Sequence, residues 1–172
     1  MVLSRILFMR RKGIKALKFG ETDKKDFLIP PFGLLYFYLI LANAFNLPKL
    51  GFALFHNEMI RWVGAGLCIL GLFLFLSALI SFGMSLRVGI DKDHPGPLVT
   101  SGAFAISRNP LYIAFGLVLI GIFFIFPNSI LFLYLIAGLW LLNRQVLREE
   151  DSLKKIYGEE YRSYCKKVRR YL

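Results

Sequence analysis

Acidic residues are scarce in this sequence, which has 11 Asp and Glu but 22 Lys and Arg, for a formal net charge of +11. Charged residues make up only 19% of the chain and hydrophobic residues 56%, a balance that soluble domains rarely have. The basic residues flank long apolar segments, which favours contact with anionic lipid headgroups over binding to nucleic acid. The composition therefore predicts a small polytopic membrane protein.

Cysteine and histidine are also rare, with two residues of each type. Cys68 falls in a predicted membrane helix and Cys165 in the tail, so we expect no disulfide. His56 and His94 lie on predicted opposite sides of the membrane and have no second ligand at metal-binding spacing, so we expect no metal site. No Ser-His-Asp grouping, phosphate-binding glycine loop or zinc motif is present. The first apolar run, Arg5 to Arg10, is too short for a cleaved signal peptide.

Four apolar segments predict an all-α integral membrane protein with about four transmembrane helices and amphipathic terminal helices. The predicted spans run from about Pro31 to Leu47, Ile60 to Leu86, Pro110 to Phe126 and Ser129 to Leu142. The turn Pro127-Asn128 is so short that the last two spans must form a helical hairpin.

The basic residues predict the orientation of these spans. Eight Lys and Arg lie in the N-terminal segment, three in the loop Arg87 to Arg108 and nine from Arg144 onward. Only Lys49 and Arg61 fall on the other side. By the positive-inside rule, both termini and the long loop are cytoplasmic.

Two further patterns concern packing. Gly64, Cys68 and Gly71 recur on one face of the second span, where small residues let another helix approach closely. The tail continues the last span as a helix that we expect Gly158 to interrupt. Its helical stripe of tyrosines predicts a helix that either lies against the membrane or caps the site; the stripe comprises Tyr157, Tyr161, Tyr164, Val168 and Tyr171.

The candidate site lies where the hairpin brings Arg108–Tyr112 beside Arg144–Glu150. Glu149 and Glu150 either form ordinary ion pairs with nearby arginines, or one carboxylate holds a cationic ligand group while the other makes a structural pair. Arg144 either snorkels to the interface or binds a substrate carboxylate through its guanidinium. The residues alone leave these alternatives open.

Two blocks of the sequence, in order, resemble the isoprenylcysteine carboxyl methyltransferase family, whose wider group includes phospholipid methyltransferases. The blocks are Leu98–Tyr112 and Glu149–Tyr161, and the resemblance extends from about Arg87 to Val168. It implies binding of S-adenosylmethionine at the cytoplasmic face without a Rossmann domain, and carboxyl O-methylation of a lipophilic, isoprenylcysteine-like acceptor. The residue patterns and the resemblance together predict a basic N-terminal segment (1–26), two transmembrane helices (27–86) and a methyltransferase core (87–172). The basic segment is either an interfacial helix on anionic lipid or a solvated tail.

By this resemblance, Arg144 is the acceptor-binding catalytic residue, although strict alignment places Gln145 there, and Glu149 holds the cofactor's ammonium group. The sequence departs from the family's pattern at three positions. Phe104 replaces a usual tyrosine, Asn109 stands where many members have histidine, and His94 lies two residues before the position at which some members have a cofactor-contacting histidine. The residues implied to surround the cofactor are His94, Gly96, Pro97, Leu98, Val99, Phe104, Asn109, Pro110, Leu111, Tyr112, Glu149 and Glu150.

Other functions stay open at this point. A phospholipid N-methyltransferase would need a neutral amine and a general base, for which His94 is the candidate on the cytoplasmic side. A carboxylate acceptor needs no base, so carboxyl methylation is favoured. A non-catalytic membrane scaffold predicts no cofactor binding at all. A transporter is disfavoured because the spans lack ionisable residues near their centres.

Overall fold

The computed structural model describes residues 29–45, 48, 50–82 and 97–172. Within these ranges the chain forms no strand beyond an isolated bridge between Ala53 and Asn128, which confirms the all-α prediction. The predicted interfacial segment, residues 1–26, and residues 83–96, which include the first part of the loop after the second span, lie outside the described residues. The helices are α1 (Ile29–Ala44), α2 (Glu58–Phe82), α3 (Pro110–Ile125), α4 (Ser129–Tyr157) and α5 (Glu159–Lys167), with a 3-10 helix at Gly102–Ala105 before α3.

Two of these helices are long and apolar enough to cross a bilayer, namely α2 with 25 residues and α4 with 29. The apolar helix α3 has 16 residues, whereas about 20 are needed to cross the hydrocarbon core without tilt. The arrangement of four spans therefore stays a prediction.

Helix α4 continues well past Leu142, the predicted end of its apolar segment, because no glycine or proline interrupts the chain before Gly158. Gly158 adopts a φ of 53°, in the left-handed region that favours glycine, and so separates α4 from α5 as predicted. The extension carries Glu149 and Glu150 on the same continuous helix as the apolar segment.

Close packing of α2 on α3 depends on glycines from both helices. A Cβ atom added at Gly64 would lie 2.6 Å from the carbonyl oxygen of Gly121, and one added at Gly71 would lie 2.9 Å from that of Ala114. In return, a Cβ at Gly121 would lie 2.6 Å from Cys68 Sγ. The prediction that small residues of the second span face another helix is therefore confirmed.

The segment that precedes α3 is fixed to the end of α2. The Ser81 hydroxyl accepts a hydrogen bond from Ala103 N (2.9 Å) and donates one to Ser77 O (2.8 Å). Gly102 has a φ of 62° and abuts the Ser81 side chain, so only glycine fits at this position. These contacts determine where the chain enters α3.

We expect Gly121→Ala to destabilise the protein by about 1–3 kcal/mol, since the new methyl group overlaps α2 in a packed interface. Thermal unfolding in detergent measures this effect. Gly66→Ala is the matched control, because a Cβ at Gly66 meets no atom within 4 Å. Equal melting temperatures for the two variants would contradict the packing described for α2 and α3.

Candidate functional site

The site is built around the first turn of α3. Pro110 occupies the start of the helix, where its missing N–H loses no hydrogen bond. Asn109, the N-cap residue, is buried, and its backbone N–H donates to the Ser107 hydroxyl at 3.1 Å. This hydrogen bond holds the backbone before the proline, and the Asn109 side chain reaches Glu150 of α4.

The Asn109 side chain meets Glu150, a residue that is only 1% exposed. Asn109 Nδ2 donates to Glu150 Oε1 at 3.1 Å, and Arg108 Nη2 lies 3.5 Å from the same oxygen. Arg170 Nε donates to Glu150 Oε2 at 3.0 Å, and Arg170 Nη2 lies 3.0 Å from the same oxygen. The hydrogen bond to Glu150 raises the pKa of Arg170. A buried carboxylate is stable only when it is paired and hydrogen-bonded, and Glu150 meets both conditions.

The residues that follow α5, 168–172, form an extended C-terminal segment over the start of α3. Arg108 N donates to Arg169 O at 3.0 Å. The Ser107 hydroxyl and Asn109 Nδ2 both donate to Arg170 O, each at 3.1 Å. The segment therefore closes the site through backbone carbonyl groups as well as through the Arg170 side chain.

Helix α5 turns its tyrosines toward the protein. Tyr161 is 1% exposed and Tyr164 7% exposed, and the Tyr164 hydroxyl donates to Phe104 O at 2.6 Å. Burial raises the pKa of Tyr164 to about 12, so this hydroxyl stays protonated and able to donate at neutral pH. Of the two alternatives for the tail, a helix that caps the site is the one that these buried tyrosines support.

Glu149 has different surroundings from its neighbour. Its Oε2 accepts a hydrogen bond of 2.7 Å from the Tyr112 hydroxyl, which the Gln145 side chain also contacts. The described ion pairs at this site go to Glu150 instead. Glu150 thus forms the structural ion pairs, and Glu149 takes part in none of those described. This arrangement is the one that the second interpretation of the sequence requires.

A cavity of about 260 Å³ lies beside Tyr112, between α3 and α4. Its lining is mainly apolar, and it includes Tyr171, whose hydroxyl donates to Asn143 Oδ1 at 2.8 Å. The residues that line it are Tyr112, Ile113, Gly116, Leu139, Leu142, Asn143 and Tyr171. Tyr112 therefore contacts both Glu149 and the cavity.

The other predicted site residues lie in several places. Pro97, Leu98 and Val99 form a partly exposed stretch before the 3-10 helix, and Pro110 and Leu111 begin α3. The Phe104 ring is buried edge-on against Phe82, with ring centres 4.7 Å apart. His94 and Gly96 lie outside the described residues.

Arg144 does not line the cavity. Its guanidinium carbon lies 5.5 Å from the centre of the Trp140 ring, one helical turn earlier on α4. Both cysteines are free, as expected. No group of residues that could hold a metal ion occurs in the described part of the chain.

Several residues of the site were not identified from the sequence, namely Ser107, Asn143, Arg170 and Tyr171. Arg170 was hidden within a basic cluster that resembles a solvated charged face. Only the unusual density of tyrosines in the tail indicated that this part of the chain packs against something.

Comparisons with known proteins agree with the two sequence blocks. The profile of the phospholipid methyltransferase family matches residues 59–160. The chain is also 32% identical, over 108 residues, to the protein-S-isoprenylcysteine O-methyltransferase of Schizosaccharomyces pombe. That match covers 60% of this chain but 45% of the relative, so the chain spans less than half of the relative's length. No solved structure matches the chain significantly. Because the family profile covers more than half of its residues, this chain belongs to the phospholipid methyltransferase family.

Proposed function

We propose that this chain is an S-adenosylmethionine-dependent membrane methyltransferase that acts at the cytoplasmic face on a lipophilic acceptor. Its reaction is carboxyl O-methylation of an isoprenylcysteine-like substrate, the acceptor named for the yeast relative. The observation that carries the proposal is the position of Glu149. Its carboxylate takes part in none of the ion pairs of the described residues, and it accepts a hydrogen bond from Tyr112, which lines the apolar cavity.

The chemistry of these residues fits the proposed cofactor. When bound, S-adenosylmethionine supplies an electrophilic methyl group on a sulfonium. Glu149 offers the carboxylate that its ammonium group requires, and charge-assisted hydrogen bonds of this kind are about twice as strong as neutral ones. Asn109–Tyr112 and the stretch 97–99 would form the walls, with His94 and Gly96 of the same loop as further contacts.

Glu150 contributes to this site by positioning its neighbours. Its carboxylate is balanced by Arg108 and Arg170, so it has no charge left for a further cation. It holds the Asn109 side chain and the C-terminal segment in place, and through them it fixes the start of α3. We therefore propose that Glu149 binds the charged group of the cofactor and that Glu150 keeps the surrounding residues in position.

The cavity favours a carboxylate acceptor. An apolar, low-dielectric site strengthens the attraction between an anionic acceptor and a cationic donor, and their charges cancel as the methyl group moves. Holding the two reactants in line supplies most of the remaining acceleration. Arg144 would meet the acceptor's carboxylate at the membrane surface, as the acceptor enters laterally from the bilayer.

The family assignment favours a second candidate, phospholipid N-methylation. Incubation of the purified protein with labelled S-adenosylmethionine and native membrane lipids separates the two. A methyl group released by mild base is an ester and supports the first proposal, whereas a base-stable label in a phospholipid supports the second. Absence of any cofactor binding would instead favour a scaffold.

Glu149→Gln should weaken the binding of S-adenosylmethionine about 10- to 150-fold, which corresponds to the loss of a charged hydrogen bond of about 1.5–3 kcal/mol. The amide retains an oxygen for the Tyr112 hydroxyl, so the melting temperature should hardly change. Calorimetric titration in detergent measures the affinity. Near-native affinity would remove Glu149 from the cofactor site.

Glu150→Gln, unlike Glu149→Gln, should clearly lower the melting temperature of the protein. Removing this charge leaves Arg108 buried beside a neutral amide, and breaking a buried ion pair costs about 3–5 kcal/mol. We expect a clearly lower melting temperature than that of Glu149→Gln, the matched variant one residue away. If both variants melted alike, Glu150 would not hold the site together.

Arg144→Ala should raise the acceptor's KM about tenfold, through loss of a charged hydrogen bond to its carboxylate. The affinity for S-adenosylmethionine should stay unchanged. Lys155→Ala, which removes an exposed positive charge further along α4, controls for the general electrostatic effect. An unchanged KM in Arg144→Ala would exclude this arginine from acceptor binding.

A further inference from the structure

We infer that the cavity between α3 and α4 binds the apolar chain of the methyl acceptor next to its reacting group, and that Gly116 sets the width of chain that fits. This inference rests on the proposed function and adds to it a binding site and a specificity-determining residue. It follows from the steric surroundings of the glycines in α3 and α4, and from the shape of the cavity.

Most glycines between the helices are explained by protein packing. A Cβ at Gly121 would overlap α2, and a Cβ at Gly138 of α4 would lie 2.9 Å from Leu119 Cδ1. Gly116 is different. It is buried, yet a Cβ there would meet only Leu139 Cδ2, at 3.5 Å, which is an ordinary van der Waals contact. The fold does not need glycine at this position, and the space in front of it is the cavity.

The lining of the cavity combines apolar and polar residues, as an amphiphilic ligand requires. Ile113, Gly116, Leu139 and Leu142 are its apolar lining, and Tyr112, which also lines it, donates to Glu149. A chain that lies against Gly116 would therefore place its polar end at Tyr112, beside the proposed methyl donor. The cofactor and the acceptor would then bind in adjacent sites, and the Tyr112 side chain would contact both.

The size and openness of the cavity indicate how much of the ligand it holds. About 260 Å³ is slightly below the usual range of roughly 300–1,000 Å³ for complete small-molecule sites. Leu139 on its rim is 38% exposed, on a surface that lipid would cover. The cavity thus takes the part of the chain nearest to the reacting group, while the remainder lies in the bilayer.

Width selection at such a site is measurable. One extra methylene in a fitted apolar pocket changes discrimination about 10- to 200-fold. A methyl group at Gly116 narrows the cavity from the α3 side. The binding of a methyl-branched prenyl chain should therefore be weakened more than that of an unbranched chain of the same length.

The experiment compares Gly116→Ala with wild type, using S-farnesyl-N-acetylcysteine and S-dodecyl-N-acetylcysteine, whose main chains have equal length. We expect the KM of the farnesyl compound to rise about tenfold relative to that of the dodecyl compound, while the affinity for S-adenosylmethionine is unchanged. In the double variant with Leu139→Ala, the KM of the farnesyl compound should return toward the wild-type value, because the shorter side chain widens the cavity from the α4 side. Gly66→Ala, with its Cβ in open space, is the control.

A readout independent of activity separates this inference from the proposed function. A photoreactive analogue of S-farnesyl-N-acetylcysteine should label peptides of α3 and α4 around Gly116, and Gly116→Ala should reduce that labelling. Labelling without methyl transfer would refute the proposed function but support the cavity as a prenyl-chain site. Methyl transfer with labelling elsewhere, an unchanged KM ratio, or no labelling at all would overturn the inference.

Discussion

The burial of one carboxylate, Glu150, is the constraint on which the rest of the site depends. A charged group removed from water costs several kcal/mol unless partners compensate it. Its partners come from separate parts of the chain: Arg108 and Asn109 before α3, and Arg170 in the C-terminal segment. Satisfying this one group therefore draws the entry to α3, the extension of α4 and the C-terminal segment into a single unit.

The different roles of two adjacent glutamates follow from helix geometry. Successive residues on an α-helix point about 100° apart, so Glu149 and Glu150 cannot share the same surroundings. Glu150 faces the arginines, and Glu149 faces Tyr112. Tyr112 also lines the cavity, so the half-buried Glu149 is linked to the cavity through one side chain, and our proposal places the cofactor and the acceptor on either side of it.

Local patterns predicted much of this architecture. The apolar segments predicted the apolar helices, the small residues of the second span predicted close contact with another helix, and Gly158 predicted the end of α4. The short turn at Pro127-Asn128 was enough to expect Arg108–Tyr112 near Glu149 and Glu150. These features depend on residues close in sequence or on one short connection, so they can be recognised without coordinates.

What the sequence did not predict depends on contacts between distant segments. Which of the two glutamates is buried follows from the rotation of α4 about its axis, and the apolar segment alone does not fix that angle. Arg170 joins Glu150 only because α5 folds back over the 3-10 helix. In the sequence, Gly116 looks like any other small residue of a membrane helix. Only the structure shows that a Cβ atom would fit there without overlap, in contrast to Gly121 and Gly138.

The central claim is that Glu149 recognises the ammonium group of a sulfonium donor. The most direct measurement is the affinity of the unaltered protein for S-adenosylhomocysteine and for its analogue that lacks the amino group, by calorimetry in detergent. The account predicts that the deaminated analogue binds about 10- to 150-fold more weakly, since it loses one charged hydrogen bond. Equal affinities for the two compounds would contradict it.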